Sequence, residues 1–269
     1  MRIIAIANQK GGCGKTTTAV NLAVALAEKS KRTLIVDLDP QGHSTIGLGH
    51  DPDKLTVSIY DALSKSQIPI SEVIVSTKIE RLDMAPSNVL LSGAELELAS
   101  VVGREFVLAK RLKTVDDKYD VCVIDCPPSL GLLTLNALVA STDVVVPVQV
   151  HYYAMEGLKQ LFETVNIIGE HLRPCNVKIL GLLLTFVDKT TLLSKQTQKQ
   201  MREYFGDLVF KTVIHKCVRL AEAPSAGEPI FTYAPESRSA AEYRALAEEI
   251  INGKASAEQI IDAQALVRR

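Results

Sequence analysis

A short apolar run, Ile3-Ile4-Ala5-Ile6-Ala7, breaks into a loop with three glycines and resumes as a helix-forming stretch from Thr17 to Ala27. The run is too short for a helix and rich in isoleucine, which predicts a buried strand. Glycines let backbone N–H groups converge on an anion, and the start of the following helix adds the positive end of its dipole. Strand, turn and helix therefore read as a phosphate cradle built from Lys10-Gly11-Gly12-Cys13-Gly14-Lys15-Thr16-Thr17. In such a cradle Lys15 reaches the β- and γ-phosphates and the Thr16 hydroxyl holds Mg²⁺.

One position departs from the usual pattern. Gln9 stands where a glycine is expected, and a second lysine, Lys10, follows it. Lys15 already serves the nucleotide, so Lys10 is surplus unless it meets phosphate from another direction. A dimer interface supplies that direction, with Lys10 neutralising charge on the partner's nucleotide as an arginine finger does. The plainer reading is a solvated lysine beside a nucleotide loop.

A chain of 269 residues suits one large α/β domain more readily than two small ones. With 47% hydrophobic residues it can build a sizeable core, and it does so without tryptophan. The net charge of −1 means that contact with nucleic acid needs a local basic patch. The five cysteines form no C-x-x-C pair, which argues against a zinc site or a disulfide framework and fits a reducing cytosol. The chain enters its first strand almost at once, leaving no room for a signal peptide or an N-terminal helix-turn-helix. No apolar run is long enough to span a bilayer.

Further along, Thr33 to Asp39 reads as a strand, entered through the basic Lys29-Ser30-Lys31-Arg32 that ends the first helix favourably for its dipole. Asp37 and Asp39 are two apart and project to one face at the C-terminal end of that strand, where α/β sheets place ligand groups. Burying both without partners is costly, which favours Mg²⁺, water or a lysine nearby. Residues 50 to 116 are less legible: short helices over Thr56 to Leu63, Asn88 to Ser100 and Arg104 to Val115, and a strand over Arg81 to Ala85. Packing and partner contact are the default readings there.

A third apolar strand, Tyr119 to Asp125, ends in a carboxylate and runs into Cys126-Pro127-Pro128-Ser129. Asp125 is the expected second Mg²⁺ element of a P-loop enzyme, and the proline loop is placed to respond to a γ-phosphate. Cys122 and Cys126 share a face and read as small core residues. Strand Asp143 to Val148, helix Ala154 to Gly169 and strand Val177 to Phe186 complete a series of βα units. Near-continuous apolar strands of this kind predict a doubly wound α/β fold, its mostly parallel sheet covered by helices on both faces.

From Asp188 to Arg219 the balance turns basic, with Lys189, Lys195, Lys199, Arg202, Lys211, Lys216 and Arg219 against Asp188, Glu203 and Asp207. A solvated helix face and a nucleic-acid footprint are both open on charge alone. Leu220 to Ser225 reads as a loop, and a last helix runs from Ser239 to Asn252, ended by Gly253. Residues 1–252 form one domain in this reading. The tail 253–269 is helical or partly disordered, with a weak apolar face.

Four stretches together, Lys10 to Thr16, Asp37-Leu38-Asp39-Pro40-Gln41-Gly42, Asp125 to Ser129 and Val218 to Ser225, closely resemble the ParA/Soj partition ATPases. These form the deviant-Walker-A group that also contains MinD. The resemblance implies an ATP- and Mg²⁺-dependent homodimer that binds double-stranded DNA without sequence preference. A ParB/Spo0J-type partner would stimulate hydrolysis, in a cytoplasmic, nucleoid-associated setting with no membrane involved. Carried over by position, Lys10 matches the lysine that crosses the interface and Lys15 the phosphate-binding lysine. Thr16 matches the Mg²⁺ ligand, Asp39 the residue that orients the attacking water, and Asp125 the second-shell Mg²⁺ carboxylate. Pro224 falls in the nucleotide-binding stretch, and Arg219 matches an arginine that contacts DNA phosphates. Two stretches differ. Ile214-His215-Lys216-Cys217 replaces the family's Ile-Pro-Arg-Asn near the adenine, and Thr190 stands where a second DNA-contacting arginine is expected, with Lys189 as its substitute. The competing readings are a MinD-like membrane-surface ATPase acting through the tail and a nucleotide-gated, non-catalytic DNA scaffold.

Overall fold

The isoleucine-rich opening run forms β1 (Arg2–Ile6), and the glycine loop delivers the chain into α1 (Lys15–Glu28). Gly14 caps that helix in the left-handed region, φ 88°, a conformation open to glycine at no steric cost. These elements come from a computed structural model that describes residues 1–65, 67–150, 158–172 and 175–253.

β2 (Thr33–Asp37) stops at the first aspartate of its pair, so Asp39 lies in the turn beyond the strand and not on the strand face. The basic residues between α1 and β2 lie past the helix's last turn. Lys29 pairs with Glu248 and Arg32 with Asp120, so they act as bridges to other elements and not as dipole partners. α2 (His43–Gly47) follows the turn. α3 (Ile59–Ser64) begins later than its sequence suggests because Ser58 and Asp61 form a reciprocal capping box, the Asp61 carboxylate accepting the Ser58 amide at 2.8 Å. α4 (Ile70–Val73), β3 (Val75–Ser76) and β4 (Leu82–Ala85) come next, then α5 (Leu91–Leu98) and α6 (Val107–Lys113).

β5 (Val121–Asp125), α7 (Leu132–Ala140), β6 (Asp143–Gln149), α8 (Leu158–His171) and β7 (Lys178–Val187) supply the repeated βα units. The start expected for the helix before β7 falls in 151–157, outside the described residues. α9 (Leu192–Phe205) and β8 (Val209–His215) complete the sheet. The stretch read as a loop at Leu220 is helical: α10 (Val218–Glu222) runs directly into a 3₁₀ turn, Ala223–Ala226, that carries Pro224 at its start. α11 (Ile230–Tyr233) and α12 (Arg238–Ile251) end the described chain. The tail beyond Gly253 lies outside the described residues.

Among the described residues eight strands are ordered β3-β4-β2-β5-β1-β6-β7-β8, and there β3 with β4 is the one antiparallel pair. β1 therefore sits inside the sheet, between β5 and β6, with buried cores on both sides. Ile4 and Ile6 pack with residues of α1 and α12, whereas Ala5 and Ala7 join the cluster that includes α3, α5, α6, α7 and α8. This is the doubly wound arrangement, with strand alternation feeding two separate cores. Cys122 and Cys126 are buried in the second of these cores, and burial pushes both thiols up.

At the β8 rim, α12 turns carboxylates onto the strand backbone. Glu249 accepts the Lys211 amide at 2.8 Å and the Thr212 amide at 3.0 Å, and Glu242 accepts the His215 amide at 3.0 Å.

Candidate nucleotide site

The parallel register brings Ile6, Asp125 and Asp37 level with one another on β1, β5 and β2. The glycine loop leaves the sheet at that level, so loop and carboxylates converge at the C-terminal ends of the strands, where open α/β sheets bind ligands. Asn8 anchors the loop, its amide nitrogen donating to the Pro147 carbonyl at 2.7 Å and its oxygen accepting the Lys10 amide at 3.0 Å. Thr185 at the end of β7 donates its hydroxyl to the Cys13 carbonyl at 2.9 Å. A Cβ on Gly11 or Gly12 would meet no atom within 4 Å, so the space above the loop is open to a ligand.

The two lysines are disposed differently. Lys15 is buried and donates to the Lys10 carbonyl at 3.0 Å, folding its ammonium back over the loop. Lys10, on the same loop, is exposed. Cys13 is buried beneath it, and burial raises its thiol.

Asp37 and Asp125 are both fully buried. Burial raises the Asp125 carboxyl and its neighbour Asp37 adds to the effect, against the lowering pull of the Ser44 and Thr16 hydroxyls. Burial likewise raises Asp37, opposed by the hydroxyl and amide of Thr45 and the amide of Asp39. Ser44 donates to Asp125 Oδ2 at 2.7 Å, while Asp125 Oδ1 is buried without a hydrogen-bond partner. A divalent cation beside Thr16 would answer both the orphaned oxygen and the raised carboxyl, so Thr16 and Asp125 fit Mg²⁺. Among the described residues no three His, Cys, Asp or Glu side chains gather as a metal cluster. The ion would therefore take most of its oxygens from nucleotide phosphates and water, as Mg²⁺ commonly does. Asp39, close behind, accepts the Gln41 amide at 3.0 Å.

Two cavities flank Thr17. One, of about 230 Å³, holds Thr16, Asn21, His43 and Ile46 together with Pro224, which the 3₁₀ turn after α10 carries to the start of α1. The other, of about 130 Å³, is walled by Gly14, Phe186, His215, Cys217, Leu220 and Ala221. The altered stretch His215-Lys216-Cys217 thus lines a cavity next to the phosphate loop. His215 Nδ1 lies 2.6 Å from Glu242, and Arg238 lies 2.7 Å from Nε2. Burial would raise the Cys217 thiol, but the Ser239 hydroxyl and the amides of Leu220 and Arg219 outweigh it, and the thiol lies below its ordinary value.

Lys189 and Arg219 are exposed beyond the ends of the neighbouring strands β7 and β8, where the Lys216 amide donates to the Val187 carbonyl at 3.0 Å. Thr190 is tied to Asp188 by its amide and its hydroxyl, at 2.8 and 2.6 Å.

Sequence reasoning missed three contributors. Ser44 and Thr45 hold the two buried carboxylates from α2, and the signal for them was a hydroxyl pair following the Asp-Pro-Gln-Gly turn. Phe186 has φ 54°, in the left-handed region, which costs a bulky side chain about 1–3 kcal/mol. Nothing in a hydrophobic pattern marks it.

Residues 1–179 match a protein family described as an AAA domain. The sporulation initiation inhibitor protein Soj of Bacillus subtilis is 49% identical over 249 residues, covering 93% of this chain and 98% of Soj. The chromosome partitioning protein ParA of Myxococcus xanthus is 46% identical, covering 93% of this chain and 88% of ParA. Among solved structures, a protein titled cobyrinic acid a,c-diamide synthase from Mycobacterium smegmatis, with bound ADP and magnesium, superposes with a TM-score of 0.82. It is 37% identical and the match covers 94% of each chain.

Proposed function

Because this chain belongs to the Soj/ParA family of partitioning ATPases, with ATP and Mg²⁺ as its cofactors, we propose that it is a switch in which nucleotide closes two copies face to face. In the closed pair each Lys10 reaches the other copy's triphosphate, while Lys15 stays with its own. The observation that carries this reading is the contrast between the two lysines: Lys15 buried and folded over the loop, Lys10 exposed. Gly11, Gly12, Cys13, Gly14 and Thr17 present the phosphate-facing backbone, and Pro224 borders the same space.

Thr16 and Asp125 would hold Mg²⁺, Asp125 directly or through water, and the ion would supply charge neutralisation at the nucleotide's phosphates. Asp39 orients the attacking water, and its distance from a partner-completed geometry keeps hydrolysis slow until a ParB-type protein engages. Lys189 and Arg219, with the basic run between them, form a DNA footprint that is weak singly. Two copies aligned by the dimer raise avidity without new contacts, which makes nucleoid association depend on nucleotide.

Light scattering with ATP and Mg²⁺ tests the reading. The parent protein is expected to double in mass and Lys10→Ala to remain a monomer while still binding nucleotide. A Lys10→Ala protein that dimerised as well as its parent would overturn it.

A further inference from the structure

Two glycines far apart in the chain meet back to back. Gly49 follows α2 and Gly227 follows the 3₁₀ turn Ala223–Ala226, each in the left-handed region, φ 83° and 66°. A Cβ on Gly49 would stand 3.2 Å from the Gly227 carbonyl oxygen, and one on Gly227 would stand 3.3 Å from the Gly49 Cα. Main chain faces main chain at close range, so neither side has a rotamer with which to absorb a displacement.

Each side carries something. α2 is gripped at its first turn by the buried carboxylates: the Ser44 hydroxyl donates to Asp125 at 2.7 Å, and the Thr45 amide and hydroxyl donate to Asp37 at 2.9 and 2.8 Å. Whatever occupies the space beside Thr16 and Asp125 therefore bears on the start of this five-residue helix. The segment opposite runs from the end of β8, carries Arg219 on α10, and is tied down where the Ile230 amide donates to Asn21 at 2.9 Å. Between those ends Gly227 abuts the far end of α2. The cavity of about 230 Å³ separates Pro224 and Glu228 from Thr17 and Ile46, so the segment has room to shift about that point.

We propose that the Gly49–Gly227 contact is the joint through which occupation of the nucleotide site sets the position of the segment carrying Arg219, with α2 as the lever between them. This rests on the reading of the glycine loop as the triphosphate site, and its consequence for DNA rests on the reading of Arg219 as a phosphate contact. Each copy is then primed by its own nucleotide before two copies close. By linkage, a polyanion held at Arg219 tightens nucleotide by the same factor by which nucleotide tightens the polyanion.

Amide hydrogen exchange with and without a non-hydrolysed ATP analogue and Mg²⁺ tests it, in a Lys10→Ala background that keeps the copies apart. The analogue is expected to slow exchange across residues 218–228 by about five-fold or more. Adding Gly227→Ala should abolish that slowing while the analogue still binds within about two-fold, and Gly49→Ala, which enters the contact from the other side, should do the same. Gly103→Ala is the control: its φ of 70° carries the same backbone cost, but its Cβ would meet only the flexible Lys110 ammonium at 3.8 Å, so the slowing should survive. Should either glycine variant fail to fold, Ser44→Ala releases α2 from Asp125 with both glycines in place and is judged on the same slowing. Slowing that persists in the joint variants, its loss in Gly103→Ala as well, or its absence from the background chain with analogue bound would each overturn the joint and leave the triphosphate site standing. A chain that bound no analogue would remove that site and the joint with it. A Lys10→Ala chain that dimerised would overturn the face-to-face reading, and the contrast between Gly227→Ala and Gly103→Ala would still decide the joint.

Discussion

Asp37 and Asp125 are register partners on adjacent parallel strands, two fully buried carboxylates level with the mouth of the phosphate loop. Burial raises both. The folded state therefore binds their protons more tightly than the unfolded chain does. The stability this contributes is complete below the ordinary carboxylate range and is lost as pH rises from about 4 toward neutrality. Exposed pairs work in the opposite sense: Arg32 holds Asp120 down to about 2. A comparison with Asp125→Asn separates the two. The metal-free parent should lose roughly 1–3 kcal/mol relative to Asp125→Asn between about pH 5 and pH 8, read from denaturant midpoints. Mg²⁺ with nucleotide should stabilise the parent more than the variant, which lacks the carboxylate charge beside the ion.

Thr45 is a hinge of hydrogen bonds, not a packing residue. Its hydroxyl donates to Asp37 at 2.8 Å and accepts the Ser87 amide at 2.9 Å. Thr45→Val keeps the shape but strands the Ser87 amide and leaves Asp37 Oδ2 with the Thr45 amide alone, at an expected loss of about 1–3 kcal/mol in urea unfolding. Thr45→Ser should recover most of it. A Thr45→Val protein as stable as the parent would mean that water replaces the hydroxyl.

Glu95 and Gly131 depend on each other. The Glu95 carboxylate accepts the Leu133 amide at 3.1 Å, in the first turn of α7, and a Cβ on Gly131 would collide with that carboxylate. Gly131→Ala must push Glu95 away, so it should cost about as much as Glu95→Ala, roughly 1–2 kcal/mol for a lost helix-start acceptor. The double variant should lose no more than either single one. Additive losses in thermal unfolding would show that the two act separately.

Retention on DNA should fall with salt, and the slope reports the footprint. Arg219→Ala and Lys189→Ala are each expected to lower the slope of log affinity against log salt by about one per phosphate contact removed. The effect should be uniform across unrelated sequences. An unchanged slope in Arg219→Ala, measured with ATP by filter retention, would place the footprint elsewhere on the protein.

The cradle, the strand ends and the doubly wound order were legible in the sequence because each rests on local chemistry: glycine spacing, short apolar runs, carboxylates at their ends. What escaped was decided at a distance. Asp37 and Asp39 look equivalent as a pair two residues apart, and only Thr45, folded back from α2, makes one a structural anchor. Pro224 reads as the middle of a loop, yet it begins a 3₁₀ turn joined to α10. Glu242 and Glu249 resemble an ordinary solvated helix face until β8 lies beside them. Phe186 was invisible because alternation along a strand carries no notice of a bulge.

Those two glutamates have a consequence for how copies of the chain meet. A final strand with bare amides is a template on which another polypeptide can add, the usual route to fibres. Here a helix of the same molecule answers three of those amides, so lateral annealing is discouraged at that flank. If copies close over nucleotide as proposed, that flank stays out of the association, which then reverses by chemistry and needs no unfolding.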